Sequence, residues 1–321
     1  MRCLLLCLGL SACVAPSQDA LSLREPLASW APGGAREQIL DFVARVTDPQ
    51  SPDHVPPAER IAVFDNDGTL WCEKPLYTQV AFMVDRARRM SAARPELASQ
   101  EPFATLLNAP ETLLDDHEAL LTLLTRTHTG MTQAEFTRDV DAWFESARHP
   151  RFERAYDELL YEPMLELLAL LDAHGFETWI CTGGGLDFVR CIAQEAYDIP
   201  AERVIGSAIL KSYRRAADGS EFARQPELVK PINDGPGKPV NLQRRLDRPP
   251  LIAVGNSDGD FEMLEYVDDR SGPSLSVLLH HDDAEREYDY DKGTERALRE
   301  APERGWVVVS IARDFERVFA P

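Results

Sequence analysis

The short apolar run Ile61-Ala62-Val63-Phe64, which stops abruptly at Asp65, constrains this chain more than any other feature. A run that brief and that uniformly apolar fits a strand buried on both faces, and such strands occur where helices cover both sides of a parallel sheet. Later segments have the same character: Phe176 to Cys181, Val204 to Ile209, Leu251 to Val254, Leu275 to Leu279 and Trp306 to Ile311. Helical patterns separate them. Ile39, Leu40, Phe42, Val43 and Val46 recur at helical spacing ahead of the first run, and Met164 to Ala173 leads into the second. This alternation predicts an α/β fold, a doubly wound (Rossmann-like) parallel sheet.

One long block interrupts the alternation. From Leu76 to about Ala173 the spacing is helical throughout, including Glu111 to Thr125 and Thr132 to Ala147, where Thr132 is a helix cap with Glu135 three residues on. We therefore expect an inserted α-helical cap over 76–169, and a core built from 36–75 and 170–321. Asp218-Gly219 is expected to turn a hairpin between extended segments.

The chain opens with Met1, Arg2 and an apolar stretch from Cys3 to Ala12, too short to span a bilayer as a helix. One basic residue, a short apolar run and small residues describe an export signal over 1–12. The ending Leu10-Ser11-Ala12-Cys13 resembles the bacterial lipoprotein box, which implies a lipid anchor at Cys13, a tether over 13–35 and a periplasmic location. Cys72, Cys181 and Cys191 are then left as an odd set, which is no disulfide framework. Across the whole chain 54 acidic residues face 34 basic ones, a net charge of −20. That balance argues against nucleic acid and anionic membrane surfaces as partners. A phosphorylated small molecule stays open, since a bound metal or a few placed cations reverse the field locally.

Polar motifs stand at the predicted strand ends, where open α/β sheets bind their ligands. In Asp65-Asn66-Asp67-Gly68-Thr69-Leu70, two carboxylates two residues apart can reach one cleft as the backbone turns at Gly68. One carboxylate can attack phosphorus while the other handles protons. A calcium loop is excluded, because Leu70 and Leu76 occupy the positions that need glycine and an acid. Thr182-Gly183-Gly184-Gly185 offers a hydroxyl and approachable backbone N–H groups to phosphate oxygens, with a helix expected behind them. Lys238 lies in a Gly/Pro loop, Gly235-Pro236-Gly237-Lys238-Pro239. In Gly255-Asn256-Ser257-Asp258-Gly259-Asp260, strand-end oxygens opposite Asp65 are candidates for a magnesium site.

Asp65-Asn66-Asp67-Gly68-Thr69 after an apolar strand resembles the nucleophile motif of the haloacid dehalogenase superfamily of phosphohydrolases. The helical insertion directly after it resembles the cap of the phosphoserine phosphatase-like branch. That resemblance implies a Mg²⁺-dependent phosphatase for a small phosphomonoester. In it Asp65 is the nucleophile, Asp67 the acid and base, and Thr182, Gly183, Gly184 and Lys238 hold the phosphoryl group. Mg²⁺ is expected among Asp65, Asp67, Asn256, Asp258 and Asp260. Asn256 departs from the family pattern, standing where the first Asp of the acidic motif is expected; either it binds metal with Asp260 behind it, or Asp258 compensates.

Glu73 lies near where phosphoserine phosphatases place a glutamate for the substrate amine, one residue out of step. The arginines Arg86, Arg89, Arg126 and Arg151 are candidates for a substrate anion, each weighed against a solvated helix face. The charged run His280 to Tyr288 reads as a solvated loop. The same residues would also serve a phosphotransferase or mutase, and the fold without turnover would make a lipoprotein adaptor.

Overall fold

A computed structural model of the chain describes residues 26–217 and 219–320. The export signal, Cys13 and the first part of the tether lie outside these residues, as does Asp218 of the expected turn. The strands are β1 (Ile61–Phe64), β2 (Glu177–Gly185), β3 (Val204–Ser207), β4 (Ile209–Ala216), β5 (Gly219–Leu228), β6 (Ile252–Gly255), β7 (Leu275–Asp282), β8 (Asp289–Tyr290) and β9 (Val307–Ser310). The α-helices are α1 (Gly34–Thr47), α2 (Thr78–Ala93), α3 (Phe103–Asn108), α4 (His117–Thr127), α5 (Gln133–Ser146), α6 (Glu162–Ala173), α7 (Leu186–Tyr197), α8 (Gly237–Leu246), α9 (Phe261–Asp268), α10 (Glu295–Arg304) and α11 (Ile311–Asp314).

The sheet has the order β3-β2-β1-β6-β7, with β9 and β8 both paired to β7, and every pairing except β7 with β8 is parallel. Alternation along the strands assigns each face its helices. Ala62, Phe64, Ile180, Ile252 and Val254 point into one apolar cluster with α1, α6 and α7. Ile61, Val63, Trp179, Cys181 and Ala253 point into another with α8, α9 and α10. The strand buried on both faces is therefore the doubly wound centre that its composition predicted. β2 and β3 extend the sheet to one side of β1, and β6, β7 and β9 to the other. The reversal falls between β1 and β6, where such sheets hold their ligands.

Between β1 and β2 the chain forms a block of helices. α2, α3 and α4 close around Val80, Met83, Val84, Phe103, Leu106 and Leu123, an apolar cluster separate from the sheet's own. The stretch expected as one helix from Glu111 divides into a 3₁₀ turn, Pro110–Leu113, and α4, whose first turn is capped by Asp116 accepting from the Ala119 N–H at 2.9 Å. Asp116 breaks the helix because its short acidic side chain takes up a backbone donor, the Ala119 N–H. α5 begins with the expected capping box: Thr132 Oγ1 accepts from the Glu135 N–H at 3.2 Å, and Glu135 accepts from the Thr132 N–H at 2.7 Å. α6 packs Met164, Leu167, Leu168 and Leu171 into the sheet's cluster, so the boundary at 170 falls inside a helix of the core crossover.

Two sequence expectations change. The run Val204 to Ile209 is two strands, because after Ser207 the chain leaves the sheet for the antiparallel hairpin β4-β5. The hairpin rises to the helical block: Arg224 N–H donates to Met131 O at 3.0 Å, and Ile209 enters the block's cluster. The Arg224 guanidinium binds Asp187 at the start of α7 at 2.6 Å. The segment expected to be a tether is also docked over its described part. Trp30 is fully buried, packs edge-on against Phe315 at 5.1 Å and donates Nε1–H to Pro163 O at 2.9 Å. Prolines and small residues gave this segment the composition of a linker, but a single tryptophan supplies enough apolar area to hold it. No helix among the described residues is long and apolar enough to cross a membrane. Trp30→Ala is expected to lower stability by about 3–5 kcal/mol, the usual cost of truncating a buried aromatic, as read from the urea midpoint.

Candidate active site

The motif residues meet at the carboxyl ends of β1, β2 and β6. Asp65 continues the ladder, donating its N–H to Val254 O at 2.9 Å, after which the chain turns back on itself through N–H groups of Thr69 and Leu70 bonded to Asn66 O. Gly68 makes the turn at φ 72°, and a Cβ there would lie 2.1 Å from Asn256 Nδ2. Only glycine fits both the conformation and the space. The turn aims Asp65, Asp67 and Glu73 into a cleft of about 900 Å³ measured out to its open mouth, which Gly183, Gly184 and Lys238 also line. Asp67 Oδ1 accepts from Trp71 Nε1 at 2.9 Å, leaving Oδ2 for the cleft.

Lys238 is the centre of the charge arrangement. It sits in the first turn of α8 rather than in the expected loop, fully buried, with its ammonium 2.6 Å from Asp65 Oδ1 and also bound to Asp260. Burial works against that charge, yet Asp260 and Asp65 together hold its pKa well above the ordinary value. One ammonium cannot neutralise two carboxylates. Burial, then the Asp260 charge, push Asp65 well above the usual carboxylate range despite Lys238. Burial also raises Asp67 to about 7, with Glu73 adding to the shift. A carboxyl held there keeps a proton available near neutrality.

Thr182 is wholly buried at the end of β2, and its Oγ1 accepts from the Gly184 N–H at 3.0 Å. The pairing of β2 with β3 shifts register between Cys181 and Gly185, a bulge that turns the glycines toward the cleft. Gly183 and Gly184 thus line it while the Thr182 side chain braces them. Asn256 lies below the Asp65 turn, its amide oxygen accepting from Thr69 Oγ1 at 3.3 Å and its Nδ2 3.4 Å from Glu73. Asp260 supports Lys238 with one oxygen and accepts from the N–H groups of Asn256 and Ser257 with the other, at 3.0 and 3.1 Å. Asp258 is turned elsewhere. Its oxygens accept from Ala297 N–H at 2.8 Å and Arg296 N–H at 3.2 Å in the first turn of α10, a use that helix termini favour. Of the two alternatives the sequence left open for the metal, Asp258 is the one whose oxygens are taken up in this way.

The oxygens near Asp65 suit a small hard cation. Among the described residues no three His, Cys, Asp or Glu side chains gather as ligands, but Mg²⁺ needs only one or two carboxylates, with waters and phosphate completing its shell. The buried surplus of negative charge around Lys238 is a specific reason for a cation to bind there.

Sequence reasoning missed several residues. Gln79 of α2 accepts from the Gly185 N–H at 2.7 Å and meets His128 Nε2 at 3.0 Å, joining the helical block to the glycine turn. Asp234 lines the cleft beside Lys238 and faces His117 of α4 at 4.0 Å across the mouth. The run read as a solvated loop carries His281 and Glu287, both fully buried. His281 Nε2 is 2.8 Å from Gly68 O, and Nδ1 is 3.1 Å from Glu287 Oε2. Both ring nitrogens thus face acceptors, and the pair sits directly behind the Asp65 turn. Glu287 also accepts from Tyr161 OH at 3.0 Å and Cys72 Sγ at 3.2 Å. Charge in the run concealed this, since only distant partners make a buried His and Glu legible.

Three comparisons bear on the fold and family. The profile of the haloacid dehalogenase-like hydrolases matches residues 62–265, more than half the chain. No curated protein matches in sequence. Solved structures do. A Bordetella pertussis protein of unknown function superposes with a TM-score of 0.52 at 17% identity, over 78% of this chain and 98% of that one. A functionally unknown protein from Anaerococcus prevotii gives 0.53 at 16% identity, over 85% and 90%. A phosphoserine phosphohydrolase-like protein from Francisella tularensis gives 0.37 at 16% identity, over 68% and 87%, which is too distant to carry an argument.

Glu287 accepts from His281, Tyr161 and Cys72 inside the core, and unpaired buried donors are costly, so Glu287→Gln is expected to cost about 1–3 kcal/mol at neutral pH. Burial, the largest single influence, would raise the Glu287 carboxyl, but its bond to His281, the His281 charge and the bonds from Tyr288 N–H and Cys72 together hold the group below its ordinary value of 4.5. Its contribution is therefore present above that pH and lost as the pH falls through the folded value. Urea midpoints of wild type and variant, well apart at pH 7, should converge below about pH 4.5.

Proposed function

Because the chain belongs to the haloacid dehalogenase-like hydrolase family, we propose that it is a Mg²⁺-dependent phosphatase that hydrolyses a small phosphate monoester through an aspartyl-phosphate on Asp65. The observation that carries this reading is the Asp65-Gly68 turn. It brings Asp65 and Asp67 to one cleft at the end of the central strand, with Lys238 bound to Asp65.

The Asp65 oxygen that Lys238 leaves uncommitted attacks phosphorus, and the bond to the leaving alkoxide breaks. The proton held by Asp67 passes to that alkoxide. Asp67, now ionised, takes a proton from water as the water attacks the phosphoryl group and displaces the Asp65 carboxylate. The Gly183 N–H and the Lys238 ammonium serve the phosphoryl oxygens in this reading, while the Gly184 N–H, expected from sequence to join them, is held by Thr182 Oγ1; fixed dipoles and charges of this kind carry most of phosphoryl-transfer catalysis. Mg²⁺ would be held by the Asp65 carboxylate, the Asp67 backbone carbonyl, the Asn256 amide oxygen and water, with Asp260 behind them. When bound it supplies positive charge to the phosphoryl oxygens.

The helical block acts in this reading as a cap over the cleft. The resemblance suggests phosphoserine as the reference substrate, and it would set its ammonium against Glu73, which is buried and lines the cleft. Export and a lipid anchor at Cys13 belong to the same proposal, supported by the sequence of residues 1–13 alone.

Phosphate release from 4-nitrophenyl phosphate should require Mg²⁺ and vanish in Asp65→Asn. Asp67→Asn should lower kcat on an alkyl phosphate by about 10²–10⁴, the usual worth of a general acid. Phosphate release that persists undiminished in Asp65→Asn would sink the mechanism. In a bacterial host the chain should enter the detergent phase on partitioning, and Cys13→Ala should move it to the aqueous phase.

A further inference from the structure

The two walls of the cleft differ in character. The floor holds Asp65, Asp67, Glu73, Asp234 and Lys238, whereas the roof consists of Val80 and Met83 from α2, Leu114, and Leu120, Leu121 and Leu124 from α4. Tyr77 stands between them, and its hydroxyl stays protonated because Glu73 and burial raise its pKa. The phosphoryl group belongs on the floor, beside Asp65. The alcohol portion of the ester must then lie along the roof.

We propose that the cleft selects phosphate monoesters of uncharged, apolar alcohols over phosphoserine and other charged alcohols, an inference that rests on the phosphatase reading above. The argument is one of available partners. Lys238 and His117 are the only basic side chains lining the cleft among the described residues. Lys238 is committed to Asp65 and Asp260. His117 stands exposed at the mouth, with Asp234 beside it. Every arginine considered from sequence is engaged elsewhere. Arg86 binds Thr127 O and Asp139, and Arg89 binds Asp139. Arg126 stacks over Phe103 at 4.6 Å, and Arg151 donates to the carbonyls of Ala284, Glu285 and Glu287.

The carboxylate of phosphoserine would therefore meet no uncommitted cation inside the cleft, only the neutral polar groups of Tyr77, Gln79 and Ser257 amid aliphatic carbon and the floor's own carboxylates. An unpaired charge in such a position is costly to desolvate. An alkyl or aryl group meets no such obstacle and gains by leaving water. Glu73 could receive an ammonium, but its Oε1 already lies 3.4 Å from Asn256 Nδ2 and 3.5 Å from Lys74. The roof is also held in place without a ligand, since Phe82, one residue from Met83, packs against Phe188 of α7 at 5.5 Å.

The test measures kcat/KM of the full-length protein with Mg²⁺ on ethyl, butyl and hexyl phosphate, phosphoethanolamine and phosphoserine, alcohols without activated leaving groups. We expect a rise of about fourfold for each methylene that reaches the roof, with phosphoserine below ethyl phosphate. Leu121→Asn, on a half-buried position outside the block's apolar cluster, should reduce the hexyl-to-ethyl ratio by about tenfold. A flat chain-length series, or either charged alcohol ahead of ethyl phosphate, overturns the inference. Calorimetric binding of ethylphosphonate and hexylphosphonate separates this from the catalytic reading. Tighter binding of the hexyl compound with no turnover of 4-nitrophenyl phosphate keeps the apolar roof and sinks the phosphatase. Equal binding of the two sinks the roof whether or not turnover is seen.

Discussion

The buried ion triplet of Lys238, Asp65 and Asp260 is the interaction on which the site depends. It ties the end of β1, the loop after β6 and the first turn of α8 to one point. Taking three charges out of water is unfavourable unless each remaining lone pair and proton finds a partner. Asp260 meets that condition with the backbone N–H groups of Asn256 and Ser257. Asp65 does not, because its second oxygen is left toward the cleft. Packing enforces the same geometry: a Cβ on Gly237 would lie 1.8 Å from Ile232 O, so α8 approaches the preceding loop as closely as backbone allows. The fold thus holds an incompletely satisfied carboxylate at a fixed place, which is what a nucleophile requires.

How far the sequence disclosed this follows from the range of the interactions. Strands buried on both faces, the capping box at Thr132, the glycine turn at 68 and the residues at the strand ends are local patterns, and the structure has them where they were expected. Lys238 was found through its motif, although its helical setting was not. What stayed hidden depends on residues far apart in the chain. His281 and Glu287 look like members of a charged loop until Gly68, 213 positions away, is brought against the ring. Trp30 reads as linker until Phe315 and Pro163 surround it. Spacing left Asp258 open as a ligand in place of Asn256 and set Asp260 behind it. Only the position of α10 gives Asp258 to a helix terminus and Asp260 to a lysine.

The helical block and the hairpin are one support, although the chain visits them separately. Ile209 and Leu228, at the base of the hairpin, pack with the block's apolar cluster. Arg224 joins three parts at once: its Nε donates to His128 O at 2.6 Å, its guanidinium lies over Phe136 at 3.9 Å, and it binds Asp187 on α7. Gln79 adds a direct link from α2 to the glycine turn. Interiors this closely packed have few alternative arrangements. The relation of roof to floor is therefore set by the free protein rather than by a substrate.

That rigidity gives the charge distribution its meaning. A chain with a net charge of −20 repels a phosphate dianion at long range, and the floor adds Glu73 and Asp234 to the repulsion at short range. If the chain is the phosphatase proposed above, productive binding must draw its free energy from a bound cation, from the Gly183 N–H and from whatever the rest of the ester can bury. The first two are the same for every phosphate monoester and cannot distinguish one from another. The third depends wholly on the alcohol, and the roof offers it carbon. On the proposed reading, discrimination therefore falls to α2 and α4 and the chemistry to the strand ends, and Gln79 ties the two together.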